Sequence, residues 1–318
     1  MRDDQRVYLL TRVAQLYYEQ NATQEAIAAC LNLSRPTVSR LLKEAREEGV
    51  VQIVIHSPFC FVTELEAALT QAFPHLRAAR VVRTADPSGV ARAAAAYIDH
   101  IVRDGDMIGV AWGTTMAAVA SALPQRPLPD VTVVQLTGGI ARSGAEGSAH
   151  DVVFRFGRAF GAAVYYLHVP AVVDGPHVHD ALVGNQETAH VLDLGRRANI
   201  AVFGIGVPDE QSALVQAGRL SSGDLARLHT LGAAGDICSR YFTERGNLCD
   251  PALDARTIGP TLSELANRDY SIAVAHGVHK ASAVLGALRG RYCNVLIIDE
   301  ATAGKVAHHS QEGHKYHE

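Results

Sequence analysis

Three runs, VTVVQL at 131–136, NIAVFGIGV at 199–207 and NVLIIDE at 294–300, limit the fold most strongly. None alternates apolar with polar residues, so the strands they form need a covering layer on both faces, as in a parallel sheet with crossover helices. With these runs, the candidate strands are 80–84, 107–112, 131–136, 163–169, 200–205, 270–275 and 295–299, and Ala-rich helical stretches separate most of them. The expected class is therefore α/β with a mainly parallel sheet. A chain of 318 residues exceeds one small domain, so a second unit is expected beside the sheet.

That unit is read at the N-terminus. Residues 23–49, TQEAIAACLNLSRPTVSRLLKEAREEG, form two helical patterns with a very short connection. Ala26, Ile27, Cys30 and Leu31 recur at steps of three and four, as do Val38, Leu41, Leu42 and Ala45, so the two inner faces share one small core. Asn32-Leu33-Ser34 supplies a turning residue, an apolar plug and an N-cap hydroxyl, and Pro36 falls in the first turn, where its missing N–H costs least. A preceding helix at about 4–20 adds Val7, Leu10, Val13 and Tyr17 as a third wall, and VVQIVIH at 50–56 is expected as a strand completing a winged helix-turn-helix. Ser34, Arg35, Thr37, Ser39, Arg40 and Lys43 then lie along the N-terminal part of the second helix, the end that enters the major groove in DNA-binding helix-turn-helix domains. Helix pairs with short connections occur in any bundle. Here residues 34–43 carry three cations and no acid while the first 57 residues are net neutral, which gathers positive charge at one helix end.

The whole chain carries a formal charge of −4, which argues against a general polyanion-binding surface and for DNA contact at one site, strengthened by two or more copies. No apolar run approaches the roughly 20 residues that span a bilayer, and the N-terminus has neither a secretory apolar core nor an Arg-rich, acid-poor transit peptide, so no membrane partner and a cytoplasmic location are expected. The five cysteines are odd in number, dispersed and without a C-x-x-C pair, which reads as reduced and structural. FVTELEAALTQAF at 61–73 places Leu65, Ala68, Leu69 and Phe73 on one stripe and reads as a linker helix. The expected division is 1–57, 58–79 and 80–318.

Ligands of open α/β sheets sit beyond the carboxyl ends of the strands. Gly113, Thr114 and Thr115 follow one strand and open a helix, so a bare backbone, two hydroxyls and helix N–H groups suit an anion; a Gly turn with a Thr N-cap is the plain alternative. Thr137, Gly138 and Gly139 follow the next strand, again with exposed backbone. Gly232-Ala233-Ala234-Gly235-Asp236 reads as a Gly-rich loop presenting an acid to sugar hydroxyls, or as an ordinary Asx turn. Lys280 sits where a helix begins, a place the helix dipole disfavours for a cation, which points to an anionic partner. Asp299-Glu300 is a further acidic pair at a strand end. Other motifs carry less. Gly204-x-Gly206 lacks the third glycine of a dinucleotide fingerprint, there is no G-x-x-x-x-G-K-[ST] and no G-x-S-x-G, and His177, His179 and Asp180 have no supporting metal-ligand pattern. No cofactor or metal is expected.

The ordered segments SRPTVSRLLKEAREEGVVQIVI, GVAWGTTMAAVASAL, VVQLTGG, NIAVFGIGV, GAAGDICSRYF and AVAHGVHKASAVLGALRGRYCNVLIIDEATA resemble the SorC family of bacterial transcriptional regulators almost end to end. The resemblance implies a C-terminal effector domain related in fold to sugar-phosphate isomerases and deaminases, binding to operator DNA as a homo-oligomer (dimer or tetramer), and control by a sugar, polyol or sugar phosphate. It further implies a phosphate-cradling role for Gly113, Thr114 and Thr115, a second phosphate contact at Lys280, and a sugar-holding role for Asp236. At Thr137 some relatives have a basic residue that engages the effector; its absence here points to one phosphate or a neutral polyol. The alternative is an isomerase- or deaminase-like enzyme with a DNA-binding appendage. No base and acid pair stands at motif spacing, so a non-enzyme is expected.

Overall fold

A computed structural model of the chain describes residues 2–51, 60–140 and 148–312. The chain divides into two compact units, Met1–Pro58 and Phe59–Glu318.

The first unit is helical. Helix α1 (Arg2–Ala14) runs into a π-helical turn at Gln15–Glu19, followed by α2 (Gln24–Leu31) and α3 (Arg35–Glu47). The hydroxyls of Thr23 and Ser34 cap α2 and α3, each accepting a backbone N–H at 3.2 Å. Asn32 ends α2 in the left-handed region (φ +52°), which a short polar side chain tolerates better than most. Leu10, Val13, Ile27, Val38 and Ala45 have no exposed surface, so the three helices share the core that their spacing implies. From residue 52 onward the expected wing strand lies outside the described residues.

The second unit is built on a seven-stranded sheet, all pairs parallel, in the order Ala78–Val82, Val295–Asp299, Tyr270–Ala275, Ile200–Gly204, Met107–Val110, Thr132–Gln135, Ala163–Tyr165. The strands are β1 (Ala78–Val82), β2 (Met107–Val110), β3 (Thr132–Gln135), β4 (Ala163–Tyr165), β5 (Ile200–Gly204), β8 (Tyr270–Ala275) and β9 (Val295–Asp299). A separate antiparallel hairpin joins β6 (Ala233–Ile237) to β7 (Arg240–Thr243). The continuous apolar runs serve both faces: Ile200 and Val202 enter one core, Ala201 and Phe203 the other. The first core is closed by α5 (Pro87–Ile101), α6 (Thr114–Ala122) and α7 (Ala149–Phe160). The opposite core is closed by α4 (Thr63–Ala72), the hairpin, and the C-terminal helices Ala281–Arg289 and Glu300–Glu312.

Helix α4 departs from the linker reading. Its apolar stripe needs a surface to bury against, and the sheet's edge strand provides one: Leu69 is fully buried, Phe73 nearly so, and the Glu66 carboxylate accepts the Val81 N–H at 3.0 Å. Just before it, Phe61 bridges Val82 in antiparallel fashion. The segment is thus part of the α/β body.

Candidate functional site

The strand order changes direction between β2 and β5. From β2 the chain proceeds through β3 to β4 on one side; from β5 it proceeds to β8 and β9 on the other. Such a switch point leaves a crevice beyond the carboxyl ends of the strands, and a cavity of about 290 Å³ opens there. That is near the lower end of the ~300–1,000 Å³ typical of small-molecule sites.

Six of the eight expected effector residues line it: Gly113, Thr114, Thr115, Thr137, Asp236 and Lys280. Gly113 adopts φ +125°, a conformation that essentially requires glycine, and stands three residues past the end of β2 as the N-cap residue of α6. No side chain caps α6, so its leading N–H groups are left for a ligand, and the hydroxyls of Thr114 and Thr115 make no hydrogen bond among the described residues. Opposite, a 3-10 turn at Val278–Lys280 leads into the helix Ala281–Arg289, again with no capping side chain. Lys280 Nζ donates to the Ile205 carbonyl at 2.9 Å. Burial draws its pKa down, against the opposing pull of Asp236 and Asp209.

Asp236 is not in a loop. It lies on β6, where its backbone exchanges two hydrogen bonds with Gly206 at 2.9 and 3.1 Å. A Cβ at Gly206 would stand 2.0 Å from the Asp236 Oδ1, so the carboxylate rests against bare backbone, and Oδ2 accepts the Ser239 N–H at 3.2 Å. Ser239 and Cys238 form the hairpin turn with φ of +67° and +53°. Burial pushes the Asp236 carboxyl up to about 6, opposed by the Ser239 bond and Lys280 and assisted by Asp209. Cys238 also lines the cavity, but burial lifts its thiol to about 12, which removes it as a nucleophile.

Gly138 and Gly139 do not line the cavity. A Cβ at Gly138 would meet the Pro170 carbonyl oxygen at 2.3 Å, so this glycine lets two chain segments pack closely, while Gly139 exchanges backbone bonds with Val169 and Ala171 and a Cβ there would meet only ordinary contacts at 3.8 Å or more. Gly138 acts one step behind the wall: its carbonyl accepts the Trp112 Nε1–H at 2.7 Å and fixes the indole that does line the cavity. Thr137 is 2% exposed and its hydroxyl donates to the Ile258 carbonyl at 3.0 Å. Asp299 is likewise turned inward: it accepts from Gly277 N–H and from Thr302, and so anchors the turn that carries Lys280. Trp112, Asp209 and Tyr241 line the cavity without having been singled out from the sequence. The spacing of GAAGDICSRYF holds the signal for the hairpin, two short stretches around Cys238-Ser239, but no Asn-Gly or Asp-Gly marks the turn.

In the helical unit, Ser34, Arg35, Ser39, Arg40 and Lys43 are exposed and Thr37 is half-buried. Ser34 is committed as the cap of α3, with the Thr37 hydroxyl 2.8 Å from its own. The three cations are not free charges: Arg35 pairs with Glu25 at 2.7 Å, Arg40 with Glu44 at 3.8 Å and Lys43 with Glu47 at 3.6 Å. Such exposed pairs contribute little and exchange readily for phosphate.

Comparison with known proteins covers both units. Residues 57–307 match the family described as "Putative sugar-binding domain", and residues 7–62 match the Crp-like helix-turn-helix domain. The chain is 39% identical to the deoxyribonucleoside regulator of Bacillus subtilis (strain 168), over 95% of this chain and 97% of that one. It is 33% identical to the sorbitol operon regulator of Klebsiella pneumoniae, over 95% and 98%. The crystal structure of that full-length regulator, SorC, superposes with a TM-score of 0.72, covering 96% of this chain and 99% of that one at 31% identity. The chain therefore belongs to the SorC family of bacterial transcriptional regulators, with a helix-turn-helix for DNA and an α/β domain of the sugar-binding class.

Proposed function

We propose that the α/β unit senses a small polyhydroxylated effector, a sugar phosphate or polyol, and that its occupancy sets how tightly the helix-turn-helix holds operator DNA. The carrying observation is the cavity at the switch point, where the uncapped start of α6 with Gly113, Thr114 and Thr115 shares one wall system with Lys280 and Asp236. The first group suits an anion and Asp236 suits hydroxyl donors. The names of the relatives, a deoxyribonucleoside regulator and a sorbitol operon regulator, support a carbohydrate. With Thr137 at the position of a basic residue and its hydroxyl engaged by Ile258, one phosphate at most is proposed.

On the DNA side, Arg35, Thr37, Ser39, Arg40 and Lys43 reach bases and phosphates while Ser34 holds the helix start. Two or more copies in the cytoplasm supply the affinity that a net-neutral domain lacks, and effector occupancy alters the placement of the paired half-site readers.

The site is read as binding rather than catalytic. A second reading has one observation behind it: Asp236 and Lys280 line the same cavity, and burial pushes the Asp236 carboxyl up to about 6, as suits a general base. Incubating the purified chain with ribose 5-phosphate and glucosamine 6-phosphate decides: turnover above background overturns the sensor-only reading. Thermal-shift measurements with the same compounds test the site itself. Lys280→Ala should abolish a phosphate-dependent shift with the fold intact, and an undiminished shift would move the phosphate elsewhere.

A further inference from the structure

The geometry points to Tyr241 and Asp236 as a pair that selects a hydroxyl group: both contact the same hydroxyl of the bound carbohydrate, Tyr241 donating to its oxygen and Asp236 accepting its proton. This rests on the carbohydrate reading above and specifies what the cavity demands of its ligand.

Asp236 and Tyr241 are directly opposed in the antiparallel register of the hairpin, so their Cβ atoms project to one face about 4.5–5.5 Å apart. Both line the cavity. Tyr241 is only 3% exposed, yet its hydroxyl has no hydrogen-bond partner among the described residues. The hydroxyl is not among the fully buried unpaired polar atoms of the described residues, so it is left open to a ligand in the cavity. The carboxylate across from it has one oxygen tied to Ser239 N–H and the other resting against Gly206, so it is held in place without reaching for the phenol. Burial and the neighbouring Asp236 and Asp209 keep the phenol protonated. The hairpin therefore presents one fixed donor beside one fixed acceptor.

A ligand group that satisfies both must accept and donate at once. A hydroxyl does so. A keto oxygen accepts from Tyr241 but gives Asp236 nothing, and a deoxy position offers neither of them a partner. Sites built around a hydroxyl reject analogues lacking it by large factors, whereas apolar pockets discriminate weakly. The cavity is thus specific for a hydroxyl at this position.

The test is calorimetric titration of the full chain with ribose 5-phosphate, sorbitol 6-phosphate and inorganic phosphate, in wild type, Tyr241→Phe, Asp236→Asn, the double variant and Lys280→Ala. The expected result is a loss of about 10-fold or more for the better-bound polyhydroxylated phosphate in each hairpin variant. The double variant should lose little beyond the worse single one, because a shared hydroxyl makes the two effects non-additive. Inorganic phosphate binding should be unchanged in Tyr241→Phe, whose unliganded melting temperature should not fall. Wild-type affinity in Tyr241→Phe, or losses that multiply in the double variant, would overturn the pair. If Lys280→Ala then still abolishes binding, the carbohydrate reading survives without it; absence of binding by every sugar phosphate, and by sorbitol titrated alongside them, in wild type overturns both.

Discussion

Asp236→Asn should stabilise the effector-free protein at neutral pH while weakening its hold on sugar. In the fold the Asp236 carboxyl is raised from 3.8 to about 6, chiefly by burial. The folded state therefore binds this proton more tightly than the unfolded chain. The group's contribution to stability is fully present below 3.8, falls as pH rises through about 6, and is lost by pH 7.5. A displacement of that size corresponds to at most about 3 kcal/mol, and because the carboxylate lines the cavity beside Lys280 we expect about 1–3 kcal/mol. For a domain of this size that is a melting-temperature gain of roughly 2–10 °C. The assay is urea and thermal denaturation of wild type and variant at pH 5.0 and 7.5, in buffers free of phosphate and sugars. The gain should be clear at pH 7.5 and shrink at pH 5.0, where the wild-type group is largely protonated. A variant no more stable at pH 7.5, or a gain equal at both values, would refute the reasoning.

Other positions give independent checks. Arg240 is 6% exposed and donates to the carbonyls of Pro260, Thr257, Gly259 and Asp254 and to the Asp254 carboxylate, so Arg240→Met should cost about 3–5 kcal/mol in urea denaturation by leaving those acceptors unpaired. Gly206→Ala should displace the Asp236 carboxylate and weaken sugar binding at least 10-fold by calorimetry, with phosphate binding retained, since the new Cβ would stand 2.0 Å from Oδ1. Ser34→Ala removes the cap of α3 and should lower the stability of the helical unit by about 1 kcal/mol, read from thermal melts of the full chain. Lys43→Ala should weaken binding to DNA from the protein's own upstream region across all sequences tested and reduce the salt slope by about 1.

The architecture was legible where one physical demand dominates a stretch of chain. Continuous apolar runs such as 295–299 fit only a strand covered on both faces, and their residues do divide between two cores. The Ser34 cap was legible too, because its hydroxyl satisfies an orphan N–H group by local chemistry, whereas the matching Thr23 cap of α2 emerges only from the structure. What escaped depends on contacts distant in sequence. The two glycines after β3 look like a ligand loop, but only the fold reveals that Gly138 makes room for Pro170. Helix α4 reads as a linker until the edge strand it covers is known. Tyr241 was invisible because its partner is set by hairpin register, in a stretch whose glycines suggested a loop. The glutamates that make the helical unit net neutral were countable from the sequence, but their pairing with Arg35, Arg40 and Lys43, one of them from α2, was not.

The central claim, that a carbohydrate in the α/β cavity governs DNA binding, is tested most directly by fluorescence anisotropy of the full chain on DNA from its own upstream region. The titration is run with and without ribose 5-phosphate and sorbitol 6-phosphate, in wild type and Lys280→Ala. The account predicts that at least one compound changes the wild-type dissociation constant by about 5-fold or more, and that Lys280→Ala binds the DNA equally well but no longer responds. Tight DNA binding that neither compound alters, or an undiminished response in Lys280→Ala, would contradict it.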